Sequence, residues 1–421
     1  MKLLIKQALV VDPHSAFNGK KVDILIENGI ISKIGSVKED TADKIVSSPG
    51  LCISPGWVDT FANFADPGYE HKESLETGAA AATAGGFTDV LIIPNTNPVI
   101  HNKAGVEYIL HKSQHLSCTI HPIGAITKNN DGKELAEMYD MKANGALAFS
   151  DGLRCVQSAG LLIKALQYVK AVDAVVVQLP DDHSINPSGL VNEGITSTQL
   201  GLPGKPTIGE ELIVARDIAL CQYAESKLHL TALSTATSLE MIRDSKKTGN
   251  SVSCSVTPYH LFFSEEDLIS YDTNLKVNPP LRTTADRKAL QKAVAEGVVD
   301  CIASHHLPHE SDSKKVEFEN AQYGMIGLET AYAVTNTCVE GLTPQRTVEL
   351  LSINPRKIFG LSIPVIQEKE PVRFTLFDPT LTWTPSSEKT KSHSKNSPFI
   401  GKELKGKVLG TLHPNAITII A

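Results

Sequence analysis

Residues 54–99 read SPGWVDTFANFADPGYEHKESLETGAAAATAGGFTDVLIIPNTNPV, and this stretch decides the fold. It opens inside an apolar run of strand length, Leu51–Asn63. Lys72–Ala84 follows as a helix-compatible segment, and Asp89–Pro94 is a second apolar run closed by turn residues. Strand, helix, strand is the unit from which parallel sheets are built, because a parallel pairing needs a crossover between its strands.

Working outward, the unit repeats. Further strand-like runs fall at Cys118–Ile126, Ala146–Asp151, Ala174–Leu179, His229–Ser234, Ser251–Val256 and Asp300–His305. Between them lie helix-compatible segments at Gln157–Val172, Glu210–Ser226, Thr237–Thr248 and Ala285–Glu296. Eight strand–helix repeats over about 280 residues have the count and size of a (β/α)8 TIM-type barrel. A doubly wound open sheet is the rival, but it usually has fewer strands and a Gly-rich phosphate loop, which this chain does not display. In a barrel, active-site residues sit at the C-terminal ends of the strands. Here those ends carry Phe61 and Asn63, Asn95, Asp151, Gln178, Ala232 and His305.

Both ends of the chain are β-like. Lys2–Val11 reads as a strand, and Asp23–Glu27 and Ile30–Ile34 flank Asn28-Gly29, a strong hairpin signal because both residues tolerate positive φ. Near the other end Arg373–Phe377, Gly406–Leu412 and Ala416–Ile420 are β-like, and Ser386–Ser397 is a polar loop rich in Lys and Ser. The expectation is a small β-sandwich domain composed of residues 1–52 and 366–421 around a barrel spanning 53–365.

At 421 residues, 41% hydrophobic and 21% charged, the chain has an ordinary globular balance. A net charge of -7 argues against nucleic acid or an acidic membrane as the main partner. No apolar run approaches the roughly 20 residues of a membrane helix. The opening MKLLIKQALVVDP resembles a signal peptide only superficially, since Lys6 and Gln7 interrupt it. Seven cysteines are scattered without a CxxC pair, which suggests free buried thiols and a cytoplasmic setting.

Several blocks are more specific. Ser54–Val99, GALAFSDG (Gly145–Gly152), SVTPYHLFF (Ser255–Phe263), KVNPPLR (Lys276–Arg282), CIASHHLPH (Cys301–His309), YGMIGLETA (Tyr323–Ala331) and NSPFIGKELKGKV (Asn396–Val408) appear in this order. Together they resemble the dihydroorotase family of the amidohydrolase superfamily along essentially the whole chain. The resemblance implies a barrel with a terminal β-sandwich. It also implies reversible cyclisation of carbamoyl-aspartate to dihydroorotate, with one or two zinc ions polarising the carbonyl and generating hydroxide.

The resemblance also shows what is missing. The family's first zinc ligands form an HxH pair on strand one, where residues two apart share a face. Those positions are Phe61 and Asn63, and the substrate-gripping Arg two residues on is Ala65. A phenyl ring has no lone pair to offer, and an amide is a poor zinc ligand. Asp151 falls where the family places an acidic or carboxylated-lysine ligand. Gln178 and Ala232 replace histidines of strands five and six, and His305 replaces the strand-eight Asp that shuttles the proton. Setting aside the substrate position Ala65, of the six metal and proton-shuttle positions only Asp151 keeps its chemistry, so no zinc and no other cofactor is expected.

Asn95, Asn278 and His309 match positions that contact substrate in the family; the plainer alternative is turns that close the barrel mouth. His305, His306 and His309 form an HHxxH cluster, but adjacent strand residues face opposite ways. His305 and His306 are therefore not expected to share one ion, whereas His309 could join either, and a non-standard metal site would draw on Asp151, His305, His306 or His309. His260 reads as a hydrogen-bonded rim or core histidine, Thr235 as a helix cap, and Lys389–Lys395 as a solvated loop.

The expected protein is thus a dihydroorotase homologue with a degenerate metal site, acting as a non-catalytic structural or regulatory subunit. The resemblance points to aspartate transcarbamoylase as partner, and a homodimer is expected. The alternatives are an active cyclic amidohydrolase with an atypical zinc site, and a module that binds a pyrimidine intermediate without chemistry.

Overall fold

The computed structural model describes residues 2–420. Strands β1 (Lys2–Val10), β2 (Lys21–Glu27), β3 (Ile30–Ile34), β4 (Lys44–Val46) and β5 (Cys52–Pro55) come from the first part of the chain. The antiparallel β2–β3 pair turns at Asn28 and Gly29, with φ of 51° and 76°. This left-handed pair is the hairpin conformation that Asn-Gly accommodates most easily.

β6 (Trp57–Ala62), β7 (Phe87–Ile92) and β8 (Thr119–Pro122) pair in parallel, in that order. β9 (Val176–Gln178) lies beyond them, and a small parallel pair, β10 (Val191–Asn192) and β11 (Gly204–Lys205), stands in the loop that follows it. β12 (Leu228–Leu230), β13 (Val252–Val256) and β14 (Cys301–Ile302) continue the parallel series from β9. Of the eight expected barrel strands, the fourth, Ala146–Asp151, is reduced to one bridging residue. Phe149 bridges the segment after β8, at Gly124, to Val176 of β9. Closure of the ring is equally local, through an Ala62–His306 bridge and the Asp59 carboxylate, which accepts the Ser304 backbone N–H at 2.7 Å. The result is the expected (β/α)8 barrel.

Helices at Leu75–Ala84, Ala159–Ala171, Ile208–Ala224, Ala236–Lys247 and Thr284–Glu296 pack outside the strands. Their starts are capped as the sequence suggests: the Ser74 and Thr235 side chains accept N–H bonds from Thr77 and Ser238. β15 (Phe374–Trp383), β16 (Leu404–His413) and β17 (Ala416–Ile419) return to β5, so both chain ends share the β-sandwich domain. Its core, which includes Leu3, Ile5, Ile24, Ile26, Phe374 and Leu412, is separate from the barrel core.

A buried charge cluster joins the two parts. Asp89 of β7 accepts from Arg356 at 2.6 Å, Arg373 at 2.7 Å and His121 at 3.0 Å. Burial alone would raise the Asp89 carboxyl, but the surrounding cations hold it well below the usual carboxylate range. Six of the seven cysteines are buried and all are free. Among the described residues no helix is long and apolar enough to cross a membrane.

Candidate functional site

The C-terminal ends of the barrel strands converge on a packed interior. Phe61, near the end of β6, is fully buried, and its ring stacks on His305 at 4.2 Å between centroids with 15° between planes. Asn63 turns back on its own loop and accepts the Ala65 N–H at 2.7 Å. Asp151 is buried, and both its oxygens are taken by Thr127, from the backbone N–H at 2.8 Å and the hydroxyl at 2.5 Å. Burial outweighs these bonds and pushes the Asp151 carboxyl up to about 6.

Gln178 accepts the Val156 N–H at 3.3 Å and donates to the buried Asp217 carboxylate at 3.3 Å. Burial also raises Asp217 to about 6, although Arg216 bonds it at 2.7 Å. Ala232 offers only a buried methyl. His305 bonds Thr231 Oγ1 through Nε2 at 2.8 Å, while its Nδ1 is buried without a partner. Burial, reinforced by nearby His260 and His229, lowers the His305 imidazole to about 3, so it is neutral at physiological pH.

Thr231 starts a file of side chains through the barrel. Its hydroxyl meets Ser255 at 2.8 Å, Ser255 meets His229 Nε2 at 3.1 Å, and His229 Nδ1 meets Ser253 at 2.9 Å. His229 is also lowered to about 3 by burial, so one of its nitrogens must donate and the other accept. The positions that the resemblance aligns with zinc ligands are thus taken up by apolar packing and internal hydrogen bonds, with His305 Nδ1 left without a partner. Among the described residues no three His, Cys, Asp or Glu side chains come together as a metal-binding group. The donor set present does not fit the family's zinc.

The model for dihydro-orotase-like proteins matches residues 50–238. Over 419 residues the chain is 39% identical to a dihydroorotase of Syntrophus aciditrophicus, covering 98% of each. It is 41% identical over 414 residues to that of Acetivibrio thermocellus, covering 97% of each. The chain belongs to the dihydroorotase family. Its fold matches the L-hydantoinase (dihydropyrimidinase) from Arthrobacter aurescens with a TM-score of 0.83, at 21% identity, covering 100% of this chain and 97% of that one. The dihydropyrimidinase from Brevibacillus agri gives 0.80 at 20% identity, with 100% and 95% covered.

In this dihydroorotase-family chain the three candidate substrate contacts are tied into the protein itself. Asn95 accepts the Leu153 N–H at 3.1 Å and donates to the Asp151 carbonyl at 3.3 Å. Asn278 accepts from Lys205 at 2.9 Å and donates to Asp181 at 3.3 Å, and Lys205 bonds Asp181 at 2.6 Å. His309 meets the Tyr323 carbonyl at 2.9 Å through Nε2, which fixes that nitrogen as the donor and leaves Nδ1 buried and unpartnered.

The HHxxH residues diverge, although β14 ends at Ile302 and His305, with φ of 45°, is not in a strand. His306 accepts the Gly327 N–H on Nδ1 at 3.2 Å and faces Glu73 at 3.3 Å through Nε2, so Nε2 carries the proton and donates. His260 is a core histidine, bonded to Thr257 at 2.9 Å and to the Pro279 carbonyl at 3.1 Å.

The Lys389–Lys395 stretch differs from the expected solvated loop. Residues alternate between solvent and interior, with Ser392, Ser394 and Asn396 buried. The buried Glu73 accepts the Ser392 hydroxyl and, at 2.9 Å, the His393 N–H; Ser394 donates to the Lys72 carbonyl at 2.7 Å. Composition misled here, because the buried polar atoms are paid in hydrogen bonds invisible in the local sequence.

Thr127, Thr231, Asp217 and Glu73 were not among the candidates from sequence. Only Asp217 carried a signal: it shares a buried helix stripe with Ile213, Val214, Cys221 and Ala224, where a charge requires a partner.

Proposed function

We propose that this chain is a dihydroorotase homologue of pyrimidine biosynthesis that has lost catalysis and serves as a structural or regulatory subunit. Phe61 carries the proposal: its ring stacks on His305, so an apolar contact joins two of the positions that hold metal and shuttle protons in the family. Without a metal the pKa of water returns toward roughly 15.7, and no neighbouring group supplies the lost activation. Backbone geometry adds support. Ala65, Ala232 and His305 have φ of 58°, 56° and 45°, a left-handed conformation that costs alanine energy, and a methyl side chain makes no hydrogen bond to offset it. Such strain is understandable as the inherited frame of a site whose ligands have been replaced.

The partner proposed from the family resemblance is aspartate transcarbamoylase, with a cytoplasmic setting and self-association as a dimer. The shared name of the relatives, dihydroorotase, favours a second reading, a working enzyme with an atypical zinc site. A third, a binder of a pyrimidine intermediate, draws on the unpartnered Nδ1 of His309.

The first experiment is elemental zinc content of untagged protein, paired with an assay of carbamoyl-aspartate and dihydroorotate interconversion in added zinc. The proposal expects neither bound zinc nor turnover. About one or two equivalents of zinc with turnover would overturn it, and Asp151 and His305 would be the first residues to mutate. A rise in melting temperature with dihydroorotate, in the absence of turnover, would favour the binding module.

A further inference from the structure

On the mouth side of the barrel, the loops after β9 and β13 expose an apolar tip. Ile195 is 77% exposed, Ile269 71% and Tyr271 45%. Ile195 begins the helix Ile195–Leu200, and Ile269 lies in the 3-10 turn Glu265–Ser270. The two segments touch: Asn192 donates to Glu265 at 2.6 Å, and the Tyr271 hydroxyl donates to the Leu200 carbonyl at 2.7 Å.

The surroundings are acidic. Glu193, Glu265, Glu266, Asp267 and Asp272 lie on these segments, the first, third and fourth exposed. The chain has no Lys or Arg between Lys170 and Lys205, nor between Lys247 and Lys276. The cations at the near ends turn inward. Lys205 is held by Asp181 and Asn278, and Lys276 is buried, lies over the Tyr323 ring and donates to the Glu319 carbonyl.

A single exposed aliphatic side chain is ordinary, but two touching segments that both present one mark a contact surface, and the charge selects among partners. A second copy placed on the same face would set three exposed carboxylates against three, and anionic lipid or nucleic acid would be repelled in the same way. We infer that this face docks a protein partner that presents basic side chains around an apolar pocket. Ile195 and Ile269 enter the pocket, and the carboxylates orient the approach. The inference stands on surface chemistry and holds whether or not the chain is catalytic.

The test uses full-length protein with labelled isoleucine methyls and two synthetic helical peptides, one of leucine and lysine, the other of leucine and glutamate. The leucine–lysine peptide is expected to shift the Ile195 and Ile269 signals ahead of those of Ile30 and Ile45, which are exposed in the β-sandwich domain. Its affinity is expected to fall roughly tenfold or more in an Ile195→Ser/Ile269→Ser variant. It should also weaken with salt. Both residues are exposed, so the variant should melt like the parent. Equal shifts at Ile30 and Ile45, equal binding of the leucine–glutamate peptide, or unchanged affinity in the variant would overturn the proposal. So would loss of self-association in the variant by sedimentation, which would assign the face to a second copy.

Discussion

The ring of Phe61 lies parallel to that of His305, 15° apart in plane and 4.2 Å between centroids, deep inside the barrel. One side chain comes from the first barrel strand and the other follows the last, so the contact crosses the seam where the barrel closes. Beside it Asp59 holds Ser304 by backbone and side chain, at 2.7 and 2.9 Å. The positions that the resemblance assigns to metal binding are therefore part of the core here.

Truncating that ring should behave as a core deletion. Phe61→Ala is expected to destabilise the protein by about 3–5 kcal/mol, measured by urea unfolding. A loss under about 1 kcal/mol would mean that Phe61 lines an open pocket instead.

Restoring ligands one pair at a time should fail. Phe61→His with Asn63→His is expected to leave zinc content unchanged, because Gln178 and Ala232 supply no further ligand. Adding Gln178→His, Ala232→His and His305→Asp rebuilds the family's set and is expected to bring zinc uptake, read by elemental analysis. Stoichiometric zinc in the double variant would show that the other ligands are dispensable.

His305 should make stability sensitive to acid. Its folded pKa, near 3, is depressed below the ordinary histidine value of 6.5. The unfolded chain therefore binds the proton first, and stability is lost as pH falls from about 6.5 toward 3. From pH 7 to pH 5 the loss attributable to this one group is about 2 kcal/mol. His305→Asn is expected to reduce the difference between urea midpoints at those two pH values. Asp59, Asp151 and Asp217, each raised to about 6, act in the opposite sense, losing stability as pH rises from about 4 to 6. An unchanged pH difference in the variant would show that His305 is not buried as a neutral ring.

Glu73 should control the Lys389–Lys395 segment. Its carboxylate accepts bonds from Ser392, His393, His306 and Thr77. Glu73→Ala leaves those donors unmatched, at about 1–3 kcal/mol for each one that stays buried. Trypsin should then cut at Lys389, Lys391 or Lys395 well before it cuts the parent. Equal cleavage rates would mean that Glu329, which accepts the Lys391 and Ser392 N–H groups at 2.9 and 3.1 Å, suffices to hold the segment.

The sequence by itself determined the alternation of strands and helices, the Asn28-Gly29 hairpin and the family. It also determined the absence of ligand chemistry at Phe61, Asn63, Gln178 and Ala232. These follow from periodicity and residue type, which are local properties of the chain. Only the tertiary structure decided what these positions, and the retained Asp151 and Asn278, now contact: Phe61 on His305, Thr127 on Asp151, Asp217 on Gln178, Lys205 on Asn278. It also reduced the fourth strand to Phe149 and buried alternate residues of a segment whose composition reads as solvated. Each of these depends on which buried polar atom finds a partner, often one distant in the chain, as with Glu73 and Ser392. Hydrogen bonding in a close-packed interior is settled by three-dimensional proximity, which residue spacing along the chain does not encode.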